Sequence, residues 1–130
     1  MIVVDTSALV AILLGEPEAF RFRTLIASEI DSRVSAITDY ETRLIAFQRQ
    51  GQGALDDYLS MLANRDVTVE AFDERQSALA FDAYRRFGKG NHPARLNFAD
   101  CAAYALAKSL DAPLLFKGGD FSLTDVRLPT

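Results

Sequence analysis

Four acidic residues stand at comparable places along this chain: Asp5, Glu41, Asp100 and Asp120. Three of them follow closely on a short apolar run, and Asp100 falls in the opening turn of a helical stretch. Gathered on one rim, such groups repel and raise each other's pKa. Divalent cations remove that cost. Carboxylates and waters are hard oxygen ligands, suited to Mg2+ or Mn2+ and not to zinc. An ion held this way lowers the pKa of a bound water and stabilises developing negative charge.

Each acid also has a purely structural reading. Asp5 is a favoured helix cap for the segment from Ala8. Thr38-Asp39-Tyr40-Glu41 fits a capping box, in which Glu41 returns a hydrogen bond to the backbone of Thr38. Asp100 is a first-turn acid favoured by the helix dipole. Its face continues through Ala103, Tyr104 and Ala107, however, and no Lys or Arg sits three or four residues away to pair with it. A carboxylate on such an apolar face needs a partner or a metal. Asp120 follows Lys117-Gly118-Gly119 and fits a glycine turn. Ser7 either caps a helix or donates to a carboxylate or phosphate. His92, the single histidine, lies among Gly and Pro and reads as a surface residue, not as a base. The one cysteine, Cys101, reads as a small packing residue. It excludes an internal disulfide, and no Cys/His set for zinc is present.

The elements that must position these residues alternate. Ile2-Val3-Val4 is a β-branched run ending at Asp5 and reads as a buried strand. A helix follows from Ala8 to Leu14, ended by Gly15. Pro17 suits the first turn of a second helix reaching about Ala27. Arg33–Ile37 reads as the second strand. Thr38 opens a helix through Gln50, closed by Gly51, and Gly53–Asn64 forms another. Val67–Phe72 alternates as a third strand. Asp73 caps a helix to about Phe87. Gly88–Pro93 is a loop, and Asn97 caps an alanine-rich helix reaching Leu110. Leu114–Phe116 is a fourth strand, with Val126–Leu128 a candidate fifth. Strands separated by helices imply an α/β fold: a mostly parallel sheet of four to five strands, flanked by helices in three layers. Ligands of such sheets gather beyond the carboxyl ends of the strands.

The chain has 130 residues, enough for one domain over 1–130, and its composition is globular. No apolar run reaches the roughly 18 residues that cross a bilayer. The apolar start is interrupted by Asp5 and reads as core, not as a signal peptide, so the cytoplasm is the expected compartment. A net charge of −4 argues against nucleic-acid binding, unless the acids hold cations that invert the local sign. Lys89, Lys117, Arg85 and Arg86 flank the expected rim as candidate phosphate contacts. Phe20-Arg21-Phe22-Arg23 reads as a helix face available for partner packing.

With these residues in place, the sequence resembles the PIN domains, and among them the VapC-type toxins of bacterial toxin–antitoxin pairs. The likeness spans nearly the whole chain. It rests on Ile2-Val3-Val4-Asp5-Thr6-Ser7-Ala8-Leu9, Ser35-Ala36-Ile37-Thr38-Asp39-Tyr40-Glu41, Gly88–Ala94 running into Leu96-Asn97-Phe98-Ala99-Asp100-Cys101, and Phe116-Lys117-Gly118-Gly119-Asp120-Phe121 with Thr124-Asp125 behind it. The resemblance implies a sheet with the first strand central and the fourth beside it. It implies metal-dependent endoribonuclease activity with Mg2+, or Mn2+, and a homodimer. It also implies a small VapB-type antitoxin, bound in a heterotetramer or larger assembly. By matched position Asp5, Glu41, Asp100 and Asp120 take the acidic catalytic roles, with Asp5 and Asp100 as metal ligands; Ser7 is a candidate substrate contact beside its equal reading as a helix cap. Arg95 departs from the small or neutral residue expected there. A phospho-receiver domain would want adjacent acids after the first strand, where Asp5 stands alone. A haloacid-dehalogenase-like phosphatase would want a second Asp where Ser7 stands. An idle binding module of the same fold is a third reading, which the intact acid set argues against.

Overall fold

The computed structural model describes residues 1–130. Four parallel strands form one sheet in the order β3-β2-β1-β4. These are β1 (Ile2–Val4), β2 (Ser32–Ser35), β3 (Thr68–Glu70) and β4 (Leu114–Leu115). Five helices cover the sheet: α1 (Thr6–Leu13), α2 (Ala19–Ser28), α3 (Ala36–Ala63), α4 (Glu74–Phe87) and α5 (Phe98–Ser109). A single 3-10 turn, Asp120–Leu123, follows β4. No helix is long and apolar enough to cross a membrane.

Strand β1 is buried on both faces, as its unbroken β-branched run requires. Ile2 and Val4 pack into a core with Leu9, Ile12, Phe22 and Tyr58 from α1, α2 and α3. Val3 points the other way, into a core with Ala103, Tyr104, Leu106 and Ala107 of α5. Leu115 and Leu114 divide between the two cores in the same manner. Each such side chain contributes about 1.5–3 kcal/mol by burial. The small residues of α5 are fully covered, which lets that helix lie close on the sheet.

Chain order decides where a site can form. After β1 the chain builds β2 and β3 on one side, then returns to pair β4 on the other. The strand order reverses between β1 and β4, and it is at such a reversal that open α/β sheets hold their ligands. Asp5 ends β1, and Asp120 lies just past β4.

Several boundaries differ from those read in the sequence. Strand β2 stops at Ser35, whose hydroxyl accepts the Ile37 N–H at 3.2 Å and caps α3. Ser35 precedes Thr38 and caps equally well, so the helix starts three residues earlier. Thr38 is then interior, its hydroxyl buried without a partner. The capping box with Glu41 does not form. Gly51, at φ 74° and ψ −159°, breaks α3 where the sequence placed a helix end, but the helix resumes at once. Helix α2 starts at Ala19, two residues after Pro17. Strand β3 is shortened at both ends. Val126–Leu128 adds no fifth strand. Only Leu114 N–H reaches it, donating to the Arg127 carbonyl at 2.9 Å, and the Val126 N–H turns back to Thr124 Oγ1.

Candidate active site

Asp5 is both the cap of α1 and the end of the central strand. Its Oδ2 accepts the Ser7 N–H at 3.0 Å and the Ser7 hydroxyl at 2.7 Å. Ser7 Oγ in turn accepts the Lys117 N–H at 2.9 Å, across 110 residues of sequence. The Asp5 N–H donates to the Leu115 carbonyl at 2.9 Å. Thus β4 is fastened to the Asp5 turn at two points. Asp5 is 3% exposed, and burial pushes its carboxyl up to about 6, against the pull of the Ser7 bonds; the charge of Glu41 adds to the rise.

Asp100 sits in the first turn of α5. It forms a reciprocal cap with Asn97: the Asn97 N–H donates to Oδ2 at 3.0 Å, and the Asp100 N–H donates to Asn97 Oδ1 at 2.8 Å. Burial raises Asp100 to about 7, partly offset by the Asn97 bond; the charges of Asp5, Asp120 and Glu41 raise it further. Asp100 thus lies within electrostatic reach of the other three acids, and Asp5 within reach of Glu41. Glu41, relieved of the capping box, is half-buried and makes no hydrogen bond to the chain. Asp120 is exposed at the mouth.

None of the four acids takes part in a salt bridge; the nearby Lys117 is held instead by Glu16 and Glu18. The structural readings of Asp5 and Asp100 are therefore true as well, since both are caps. Capping occupies Oδ2 in each case and leaves Oδ1 without a hydrogen bond of normal geometry. No three His, Cys, Asp or Glu side chains form a ready-made metal cage. Mg2+ does not need one: it keeps several waters and binds through one or two carboxylates. Two half-committed carboxylates, one buried and one partly so, with no cation paired to them and two further acids in electrostatic reach of Asp100, suit such an ion.

His92 is a loop brace. Its Nδ1 accepts the Ala94 N–H at 3.0 Å, and its ring meets Phe87 edge-on at 5.1 Å between centroids. Cys101 is buried and its thiol is pushed up to about 11, chiefly by burial, so it packs as a neutral group. The Ser7 hydroxyl donates to the Asp5 carboxylate. Two contributions were not anticipated: the return bond in the Asn97–Asp100 cap, for which N-x-x-D was the available signal, and the Ser7–Lys117 link, which has no local signal.

A parallel sheet of this order, with its acids drawn to the switch point, is the architecture of a PIN domain. The chain belongs to that family, whose PIN domain model matches residues 2–126. It is 44% identical over 124 residues to Ribonuclease VapC of Mycolicibacterium smegmatis, spanning 95% of this chain and 96% of that one. It is also 44% identical over 127 residues to Ribonuclease VapC30 of Mycobacterium tuberculosis, spanning 95% of each. Among solved structures it is similar to Mycobacterium tuberculosis VapC20, a sarcin-ricin loop cleaving toxin, with TM-score 0.80 and 23% identity over 97% of this chain and 96% of that one. It is likewise similar to a chain of a toxin–antitoxin complex from Klebsiella pneumoniae, with TM-score 0.72 and 17% identity over 96% and 93%.

Proposed function

We propose that this chain is an endoribonuclease, the toxin of a type II toxin–antitoxin pair, hydrolysing RNA phosphodiesters with Mg2+ or Mn2+ held by Asp5 and Asp100. The observation that carries the reading is the gathering of Asp5, Glu41, Asp100 and Asp120 at the β1/β4 switch point, in a chain similar over its length to VapC ribonucleases. Asp5 and Asp100 offer Oδ1 to the ion, while Ser7 and Asn97 hold Oδ2 of each. An ion held by these residues would neutralise the acids and supply a more acidic water and an electrostatic partner for developing phosphate charge. Glu41, which makes no hydrogen bond to the chain, would serve as the acceptor of a proton from the attacking water. Asp120 completes the acidic mouth.

Attack by water leaves 5′-phosphate and 3′-hydroxyl ends. The assay incubates antitoxin-free protein with a mixed RNA pool and Mg2+ or Mn2+, beside Asp100→Asn and EDTA controls. Cleavage lost in both controls, with 5′-phosphate ends, supports the reading. Equal cleavage by Asp100→Asn, or 2′,3′-cyclic phosphate ends, refutes it.

A homodimer and a VapB-type antitoxin belong to the same reading, in a heterotetramer or larger assembly. Two exposed apolar surfaces support it. Tyr40, Leu44 and Phe47 form a stripe along one face of α3. A groove of about 440 Å³ between α4 and α5 is lined by Phe72, Phe81, Tyr84 and Phe98. Contiguous apolar surface of this kind marks protein contact sites.

A further inference from the structure

Of the four cations that flank the rim in sequence, the structure ties down three. Lys117 is held by Glu16 and Glu18. Arg85 pairs with Asp82 at 3.1 Å, and Arg86 with Asp125 at 3.6 Å. Lys89 has no acidic partner. Neither does Arg95, which shares its loop. Both lie on the segment that leads directly into Asn97, the residue holding Asp100.

This loop is short and firmly built. Gly88 and Leu96 bridge its feet, with the Lys89 N–H on the Leu96 carbonyl at 2.9 Å and the Leu96 N–H on the Phe87 carbonyl at 3.0 Å. Ala94 and Leu96 are buried anchors. The Tyr84 hydroxyl donates to the Lys89 carbonyl at 3.2 Å, and Asn91 Nδ2 to the Tyr84 carbonyl at 3.2 Å. The parallel Gly88–Leu96 bridge ties the Lys89 and Arg95 ends of the loop together, and both residues are exposed. Arg95 adopts φ 56°, a left-handed conformation that costs a residue with a Cβ about 1 kcal/mol or more. Glycine would occupy it without strain. Non-glycine residues retained in this region concentrate at functional sites.

We infer that the Gly88–Leu96 loop is a backbone clamp for the RNA substrate, with Lys89 and Arg95 each contacting a phosphate of the strand that enters the acidic crevice. The inference rests on the ribonuclease reading and adds to it the residues that admit a polyanion to a site of like charge. A chain of net charge −4 needs local cations beside its acids if RNA is to approach. Cations without intramolecular partners, on an already ordered backbone, meet that need at little further cost in loop entropy.

The test measures binding of a short fluorescein-labelled single-stranded RNA by anisotropy as salt is varied, with Ca2+ replacing Mg2+. Wild type is compared with the Lys89→Ala, Arg95→Gly double variant and with Arg95→Lys. Each phosphate contact on single-stranded RNA contributes about 0.7 to the slope of log K against log salt. Losing two contacts makes the slope shallower by about 1.4. The double variant is expected to show that change, with a raised KM, a kcat within about twofold of wild type in Mg2+ and no loss of thermal stability. Arg95→Lys is expected to keep the wild-type slope. Wild-type slope and affinity in a double variant whose parent binds and cleaves RNA would overturn the clamp alone. Unchanged RNA binding with loss of antitoxin binding would also overturn it and assign the loop to the protein partner. A wild type that neither binds nor cleaves any RNA removes the ribonuclease reading, and the clamp with it.

Discussion

Replacing Asp100 with Asn is expected to abolish the proposed activity and yet, in the absence of metal, to make the protein more stable. The folded chain holds the Asp100 carboxyl at about 7, against an ordinary value of 3.8. At about 1.4 kcal/mol per pH unit, the ionised group would cost about 4 kcal/mol. The side chain is not fully buried, and the repelling charges are partly screened, so about 1–2 kcal/mol is the realistic gain on substitution. Asn keeps an oxygen for the Asn97 N–H and carries no charge. For a domain of this size the gain corresponds to a rise of about 3–8 °C in Tm. The pH dependence has a defined sign. Between about pH 4 and 7 the folded state binds the Asp100 proton more tightly than the unfolded chain does, so wild-type stability falls as pH rises through that window and levels off above it. Below about pH 4 both states are protonated and the penalty vanishes. Asp5, raised to about 6, adds a contribution of the same sign. Thermal unfolding of both proteins in EDTA at several pH values measures this directly. Saturating Mg2+ should flatten the wild-type profile and narrow the gap to Asp100→Asn. Equal Tm values in EDTA at neutral pH, or a wild-type Tm indifferent to pH from about 5 to 8, would refute the electrostatic account of the site.

Other substitutions probe its supports. Ser7→Ala removes the hydroxyl between Asp5 and the Lys117 N–H; a loss of about 1–2 kcal/mol in urea unfolding should accompany weaker Mn2+ binding in calorimetry, with Ser7→Thr recovering part of both. Ser35→Ala should cost about 1 kcal/mol as a lost cap. Thr38→Val should be neutral or stabilising, because the buried Thr38 hydroxyl has no partner; the opposite ranking in denaturant melts would return the cap to Thr38. Gly88→Ala should be strongly destabilising, since a Cβ there would lie 2.4 Å from the Tyr84 carbonyl oxygen, and unchanged expression and Tm would contradict that packing.

The central part of the site was legible because its signals are local and obey a general rule. An apolar run ending in Asp5, and an alanine-rich helix with an acid in its first turn, each specify a position relative to the sheet. The reversal of strand order then brings those positions together. Capping was harder to assign, since Ser35 and Thr38 are both competent caps three residues apart, and only the length of β2 decides between them. That ambiguity mattered for Glu41, which is free for the site only because Ser35 wins. The bond from Lys117 to Ser7 and the left-handed backbone of Arg95 were not legible. The first depends on tertiary pairing of distant segments. The second is a conformation that the residue type does not favour and that only the closed loop imposes.

The placing of β1 between β2 and β4 has a bearing on synthesis. Polypeptides emerge from the ribosome amino end first, and domains fold as units. Asp5 is made well before β4, which closes one side of its strand, and before Asp120. Until Leu114–Asp120 has emerged and docked, the Ser7 hydroxyl lacks the Lys117 N–H and the crevice has one wall. A nascent copy that has not reached Leu114 therefore carries Asp5, Glu41 and Asp100 without the β4 side of the site.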